Sequence, residues 1–190
     1  DSNGKIYSSA GIGMPLLLIP LYFAGHIISN IIPSVPHDYI TQFFVSFANP
    51  IIIALTALVL FIFVIQLGFN RRTSFLTALA YTFCTMSVNY ARSGFSDPAA
   101  GLFVLAALLC IFIYEKKGIL RFILFSSILL GYSLLIKKNS FLYVPLFFAY
   151  MAYKSFYIKI PKQHIKFWIL GLFPFLILAL LYFYFRHAMG

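Results

Sequence analysis

Arg92 and Asp97 lie in one short polar stretch, Tyr90-Ala-Arg92-Ser-Gly-Phe-Ser96-Asp97-Pro98, between two apolar runs. An Arg fork matches two phosphate oxygens at once, so Arg92 is a candidate phosphate ligand. Asp97 beside it is suited to a sugar hydroxyl, to a divalent metal such as Mg or Mn, or to taking a proton. A simpler reading applies to the same residues: Pro98 fits the first turn of a helix, and Ser96 or Asp97 fits its N-cap. The two readings are compatible, since a cap uses one carboxylate oxygen.

Lys137 and Lys138 form the second candidate group, followed by Asn139 and Ser140 at the end of another apolar run. Lysines there suit the helix dipole and can snorkel toward headgroups, and a pair of them also suits an anionic headgroup ligand. A third group is the N-terminal stretch Asn3-Gly-Lys5-Ile-Tyr7-Ser8-Ser9-Ala-Gly11-Ile-Gly13-Met-Pro15, where glycines allow backbone to approach a ligand closely, although a loop containing Gly reads equally as a turn. Lys5 and Tyr7 are its candidate binding residues. His26 lies in an apolar stretch and reads as a packed or interfacial ring, and His164 as a solvated one. Cys84 and Cys110 fall inside apolar runs without metal-ligand spacing, so they support neither a disulfide framework nor a zinc site. Phosphate-binding loops of the Walker type, paired-His zinc motifs and serine nucleophile elbows are absent from the sequence.

The elements that must hold these residues are membrane helices. The 190 residues are 62% hydrophobic, 19% aromatic and only 9% charged, which excludes a water-soluble globule. Six apolar spans are expected at about 44–69, 73–91, 98–114, 119–136, 141–157 and 167–185, each near the length that crosses a bilayer. Residues 12–32 are apolar too, but Pro15, Pro20, Gly25, His26 and Asn30 interrupt them, so one or two interfacial helices are expected there, with a true span as the alternative. The segment at 31–39 reads as a surface loop through its two prolines and His37-Asp38. The fold class is therefore all-α: a polytopic transmembrane helix bundle with an N-terminal interfacial helical segment, divided at 1–43 and 44–190. No internal repeat is visible. The absence of an initiator Met and the stop at Arg186-His-Ala-Met-Gly190, just past an apolar run, read as a piece of a longer chain.

Charge sets the expected orientation. The net charge of +10 arises from residues between apolar runs, so it reads as topology and phosphate contact, with no nucleic-acid partner. Short connectors make consecutive spans antiparallel, and alternate connectors then share a side. One side gathers Arg71, Arg72, Lys116, Lys117, Arg121, Lys154, Lys159, Lys162 and Lys166; the other has Lys5, Arg92, Lys137, Lys138 and Arg186. The richer side is assigned to the cytoplasm. Asp1, Asp38 and Asp97 then lie outside and Glu115 inside, so most of the acids share the outer face with Arg92 and the two lysines. Polar groups concentrated at membrane depth mark a functional site by default.

Several of these stretches resemble the GT-C membrane glycosyltransferases that use polyprenyl-phosphate-linked sugars, the group of the protein O-mannosyltransferases and the aminoarabinose transferase. Residues 3–26, NGKIYSSAGIGMPLLLIPLYFAGH, are similar to that family's first outer loop and interfacial helix. Residues 49–114, with Tyr-Ala-Arg and Ser-Asp-Pro at the outer turn, resemble its second to fourth spans, and residues 131–146, GYSLLIKKNSFLYVPL, its Gly-x-x-x-Leu-x-Lys segment. The resemblance implies inverting transfer of a sugar from a polyprenyl phosphate to a lipid, glycan or protein acceptor on the outer face of the plasma membrane. It places Asp97 at the second-loop carboxylate and Lys137 or Lys138 at the basic residue near the lipid phosphate. The family's first-loop acid has no equivalent here that can be equated with Asp1, and a Lys common after the Tyr-Ser position is replaced around Ser9 and Ala10. A transporter or lipid flippase is the competing class. Such proteins place polar groups near the bilayer midplane on broken helices, whereas charge here sits at span ends.

The orientation is testable by thiol labelling in intact cells. A cysteine at Arg72 is expected to react only after the membrane is permeabilised, and labelling from outside would reverse the assignment.

Overall fold

The computed structural model describes residues 11–32 and 34–157 and four single positions further on, 176, 180, 183 and 184. Every described element is helical: α1 (Gly13–Ile31), α2 (His37–Ser46), α3 (Ala48–Gln66), α4 (Arg71–Cys84), α5 (Ser87–Ala91), α6 (Asp97–Lys117), α7 (Arg121–Ile136), a 3-10 turn (Lys138–Leu142) and α8 (Tyr143–Tyr157). Contacts divide the chain into two units, one of Ile12–Leu102 and one of Phe103–Gly190 with Asp1–Gly11. The expected span at 167–185 lies, apart from the four single positions, outside the described residues. Among the described residues, three stretches are long and apolar enough to cross a membrane: α1, the run His37–Gln66 and α6. The chain is an integral membrane protein of the all-α class.

In the first unit, α1 runs unbroken through the residues expected to interrupt it. Pro15 falls in its first turn, where no N–H partner is lost, and Pro20 is carried inside the helix. The expected loop at 31–39 is shorter than its composition suggests. Helix α2 already begins at His37, directly after Pro36, so His37 and Asp38 lie in a helical first turn. Helices α1 and α2 pack closely as a hairpin. Gly25 and Ser29, four residues apart on α1, are both buried, as is Thr41 of α2. A Cβ on Gly25 would come within 2.8 Å of the Thr41 Cα, so the helices approach there as only a small residue allows. Both hydroxyls are satisfied locally, Ser29 by the His26 carbonyl and Thr41 by those of His37 and Asp38. Near the turn of the hairpin, His26 Nδ1 and His37 Nε2 lie 2.7 Å apart, so one ring donates to the other. His26 is thus an exposed, partnered ring, in keeping with its interfacial reading.

Pro50 explains the junction between α2 and α3. It has no N–H to give to Ser46 and its ring crowds that carbonyl, so the regular helix is interrupted at Phe47. The restart leaves Pro50 in the first turn of α3, together with Asn49. Asn49, Ile52, Ile53 and Thr56 are the buried stripe of the upper part of α3, at helical spacing. Gly68, at φ +100°, turns the chain out of α3, and the Asn70 side chain then caps α4 by accepting from the Thr73 N–H at 2.8 Å.

The expected span 73–91 is two helices. Thr82 and Thr85 turn their hydroxyls back to the carbonyls of Ala78 and Tyr81, and Thr85 adopts an extended backbone that ends α4. The Thr85 hydroxyl also meets the Ser87 hydroxyl at 2.8 Å and accepts from the Ser87 N–H, which supplies a partner at the break.

In the second unit, Val104, Ala107 and Ile111 of α6, Leu130 and Leu134 of α7, and Val144 and Phe147 of α8 form one buried cluster. The Ser126 hydroxyl crosses from α7 to the Ala107 carbonyl of α6 at 2.9 Å. Gly118, at φ +67°, makes the turn between these helices. Lys116 and Lys117 end α6, where cations suit the helix dipole. Large apolar side chains such as Phe23, Ile27, Phe75, Phe83 and Phe125 are exposed, as lipid-facing residues are.

Gly25→Leu is expected to part α1 from α2 and to lower stability in detergent by about 2 kcal/mol, read as a fall in thermal midpoint. Gly101→Ala is the control, because nothing lies within 4 Å of the added Cβ. Its midpoint should hold or rise, since Ala favours helix over Gly.

Candidate functional site

The stretch from Tyr90 to Asp97 is a tight loop between α5 and α6. Arg92 follows the last residue of α5, its N–H bonded to the Asn89 carbonyl at 3.2 Å, and it is exposed. Ser93 closes back on the Tyr90 carbonyl through both its N–H and its hydroxyl, each at 3.2 Å. The rings of Tyr90 and Phe95 meet edge to face, with centroids 5.9 Å apart. Backbone and rings together fold the loop on itself, so Arg92 and Asp97 are set by a compact turn.

The carboxylate occupies a different helical position from the cap. Helix α6 begins at Asp97, and the Ser96 carbonyl accepts the first helical bond, from Ala100, at 3.1 Å. Ser96 therefore stands at the cap position and Asp97 in the first turn, where the helix dipole favours negative charge. Asp97 is half-buried, and Pro98, Ala99 and Ala100 behind it are buried.

Among the described residues no group of three His, Cys, Asp or Glu side chains could hold a metal.

The loop's support was not legible in the sequence. Asn49, on the first turn of α3, is only 4% exposed. Its side-chain Nδ2 donates to the carbonyls of Tyr90 and Phe95, each at 3.1 Å, and also to that of Ser93. Asn49 Oδ1 is buried with no hydrogen-bond partner among the described residues. A polar residue just before Pro50 at the start of an apolar run was the available signal, and it reads equally well as a helix start.

In the other unit, Lys137 and Lys138 are separated by backbone geometry. Helix α7 ends at Ile136; Lys137 is extended, at φ −146° and ψ 124°, while Lys138 opens the 3-10 turn. Lys137 is half-buried and Lys138 exposed, so the pair is not one doubly charged helix end. Gly11 lies directly against the end of α7. A Cβ there would overlap the Leu135 carbonyl oxygen and come within 2.7 Å of that of Ile136. The close approach at Gly11 is to the chain's own backbone, one and two residues ahead of Lys137, and not to a ligand. Lys5 and Tyr7 lie outside the described residues.

These features define a class: an all-helical integral membrane protein with charged side chains presented by short breaks and loops at helix ends. A family model described as dolichyl-phosphate-mannose-protein mannosyltransferase matches residues 38–184, and the chain belongs to that family. It is a membrane glycosyltransferase of the GT-C type, and its donors are polyprenyl-phosphate sugars in general. Searches of curated proteins and of solved structures returned no match.

Replacement of Gly11 by Ala is expected to cost about 1–3 kcal/mol, because backbone carbonyls must shift to admit the methyl group. Gly94→Ala, with nothing within 4 Å of its Cβ, should change stability by no more than about 0.5 kcal/mol. Urea or thermal unfolding of the two purified variants checks the contrast.

Proposed function

We propose that the loop between α5 and α6 carries the reacting groups of sugar transfer, on the outer face of the plasma membrane. The supporting observation is the compact turn that sets Arg92 and Asp97 on one rigid loop, with Asp97 at a helix N-terminus. In this reading an acceptor hydroxyl or amine attacks the anomeric carbon of the donor sugar. The bond from that carbon to the phosphate oxygen breaks, and polyprenyl phosphate leaves with the negative charge. Arg92 stabilises that charge in the transition state, while the Asp97 carboxylate orients the nucleophile and takes its proton. Lys137 and Lys138 are assigned to the anionic headgroup, as are Lys5 and Tyr7 of the N-terminal stretch. A lipid, glycan or protein supplies the acceptor. The donor's hydrocarbon tail remains in the bilayer, so only its headgroup has to reach the loop.

The transporter or flippase reading is weaker on the same ground. The described charged candidates sit at a helix end, a loop and a 3-10 turn, and carriers typically bring polar groups to the middle of the membrane.

The test is Asp97→Asn in membranes containing the intact protein, with dolichyl-phosphate mannose as the probe donor and release of dolichyl phosphate as the readout. Asn keeps size and loses charge and basicity, so the rate should fall by roughly 100-fold or more at equal expression. A rate near that of the wild type would overturn the assignment. Treatment with EDTA separates two uses of the carboxylate. Retention of the rate assigns direct proton transfer to Asp97, and a loss restored by Mg or Mn assigns it to a metal.

A further inference from the structure

We infer that Asn49 is the positioning residue of the transfer reaction: its buried side-chain amide fixes the Arg92–Asp97 loop by bonding to the carbonyls of Tyr90, Ser93 and Phe95. The inference rests on the reading of that loop as the reacting one and adds a residue that touches neither donor nor acceptor.

The argument begins with what the loop cannot do for itself. Three carbonyls within six residues leave the regular helical pattern near the end of an apolar bundle, and each needs a donor if water is excluded. Ser93 serves only the Tyr90 carbonyl. The Asn49 amide reaches all three, with two N–H groups shared among them.

A second argument comes from the cost of keeping an amide there. Leu has the same branched side-chain skeleton as Asn, and the neighbours of Asn49 on the same stripe are Ile52 and Ile53. Packing alone would favour the apolar side chain, because burying an amide whose oxygen has no partner is unfavourable. What the amide supplies in return is the position of the loop. Asn49 is fixed in turn, since it sits in the first turn of α3 beside Pro50 and is 4% exposed. The chain of constraint therefore runs from the Pro50 kink to Asn49, from its amide to three loop carbonyls, and from those to Arg92 and Asp97.

The replacement that isolates this role is Asn49→Leu, which keeps the branched shape and removes the donors. Hydrogen exchange of the amides at 92–96 and kcat per folded protein are measured in the intact protein in membranes, with dolichyl-phosphate mannose as probe donor. Exchange in the loop should rise about 10-fold or more while exchange in α6 beyond Ala100 is unchanged. The value of kcat should fall roughly 10- to 100-fold, as expected when a catalytic group is misplaced by a fraction of an ångström. Because Asn49 acts through the loop, Asn49→Leu combined with Asp97→Asn should be no slower than Asp97→Asn alone.

Three results would count against the inference. Unchanged loop exchange in Asn49→Leu overturns it, whatever the rate. A rate within about twofold of wild type in Asn49→Leu, when Asp97→Asn is inactive, overturns it and leaves the functional reading of the loop intact. Full transfer by both Asp97→Asn and Asn49→Leu overturns the reading of the loop itself, and the inference with it.

Discussion

A backbone polar group that loses its helical partner inside a membrane has to find another, and the arrangement of this protein follows from where it interrupts its helices and how it satisfies each interruption. Pro50 frees the Ser46 carbonyl and resets the helix as α3. Thr85 ends α4, and its hydroxyl serves both the Tyr81 carbonyl and the first residue of α5. Between α5 and α6 the released carbonyls converge on Asn49. The breaks after α4 and α5 are each matched by a side chain that hydrogen-bonds, and Arg92 and Asp97 stand beside the second of them.

The same economy explains why the two lysines differ. A continuous helix would have carried Lys137 and Lys138 as neighbours on a frayed end, both reaching for solvent. One extended residue instead turns the chain between α7 and the 3-10 turn, and leaves Lys137 half-buried beside the segment that contains Gly11. The headgroup role proposed for Lys137 needs a charge held at a defined depth, and a half-buried lysine meets that need better than a snorkelling pair.

Much of the architecture was legible because burial in lipid demands long apolar runs, which survive as plain composition. The helical spans α3, α6 and α7 and the presence of polar loops at Arg92–Asp97 and Lys137–Lys138 can all be read from the chain. The breaks were harder. Pro15 and Pro20 look like interruptions of α1, yet one falls in the first turn and the other is absorbed, whereas Thr85, an ordinary residue in an apolar run, ends a helix. A proline removes one donor wherever it stands, but whether the helix survives depends on neighbouring helices that sequence does not display. Asn49 escaped notice for a related reason: its three acceptors lie more than 40 residues away and are backbone atoms, which carry no residue-specific mark.

Gly11 has a consequence for the order of assembly. Its seat is made by the last carbonyls of α7, which leave the ribosome only after more than half of the chain has followed Gly11 into the membrane. Gly11 must therefore wait for its seat while α1 to α6 insert, and its contact with α7 is a long-range closure that comes late in folding. A nascent chain paused before α7 would carry Gly11 without its seat, and release of the pause would supply it.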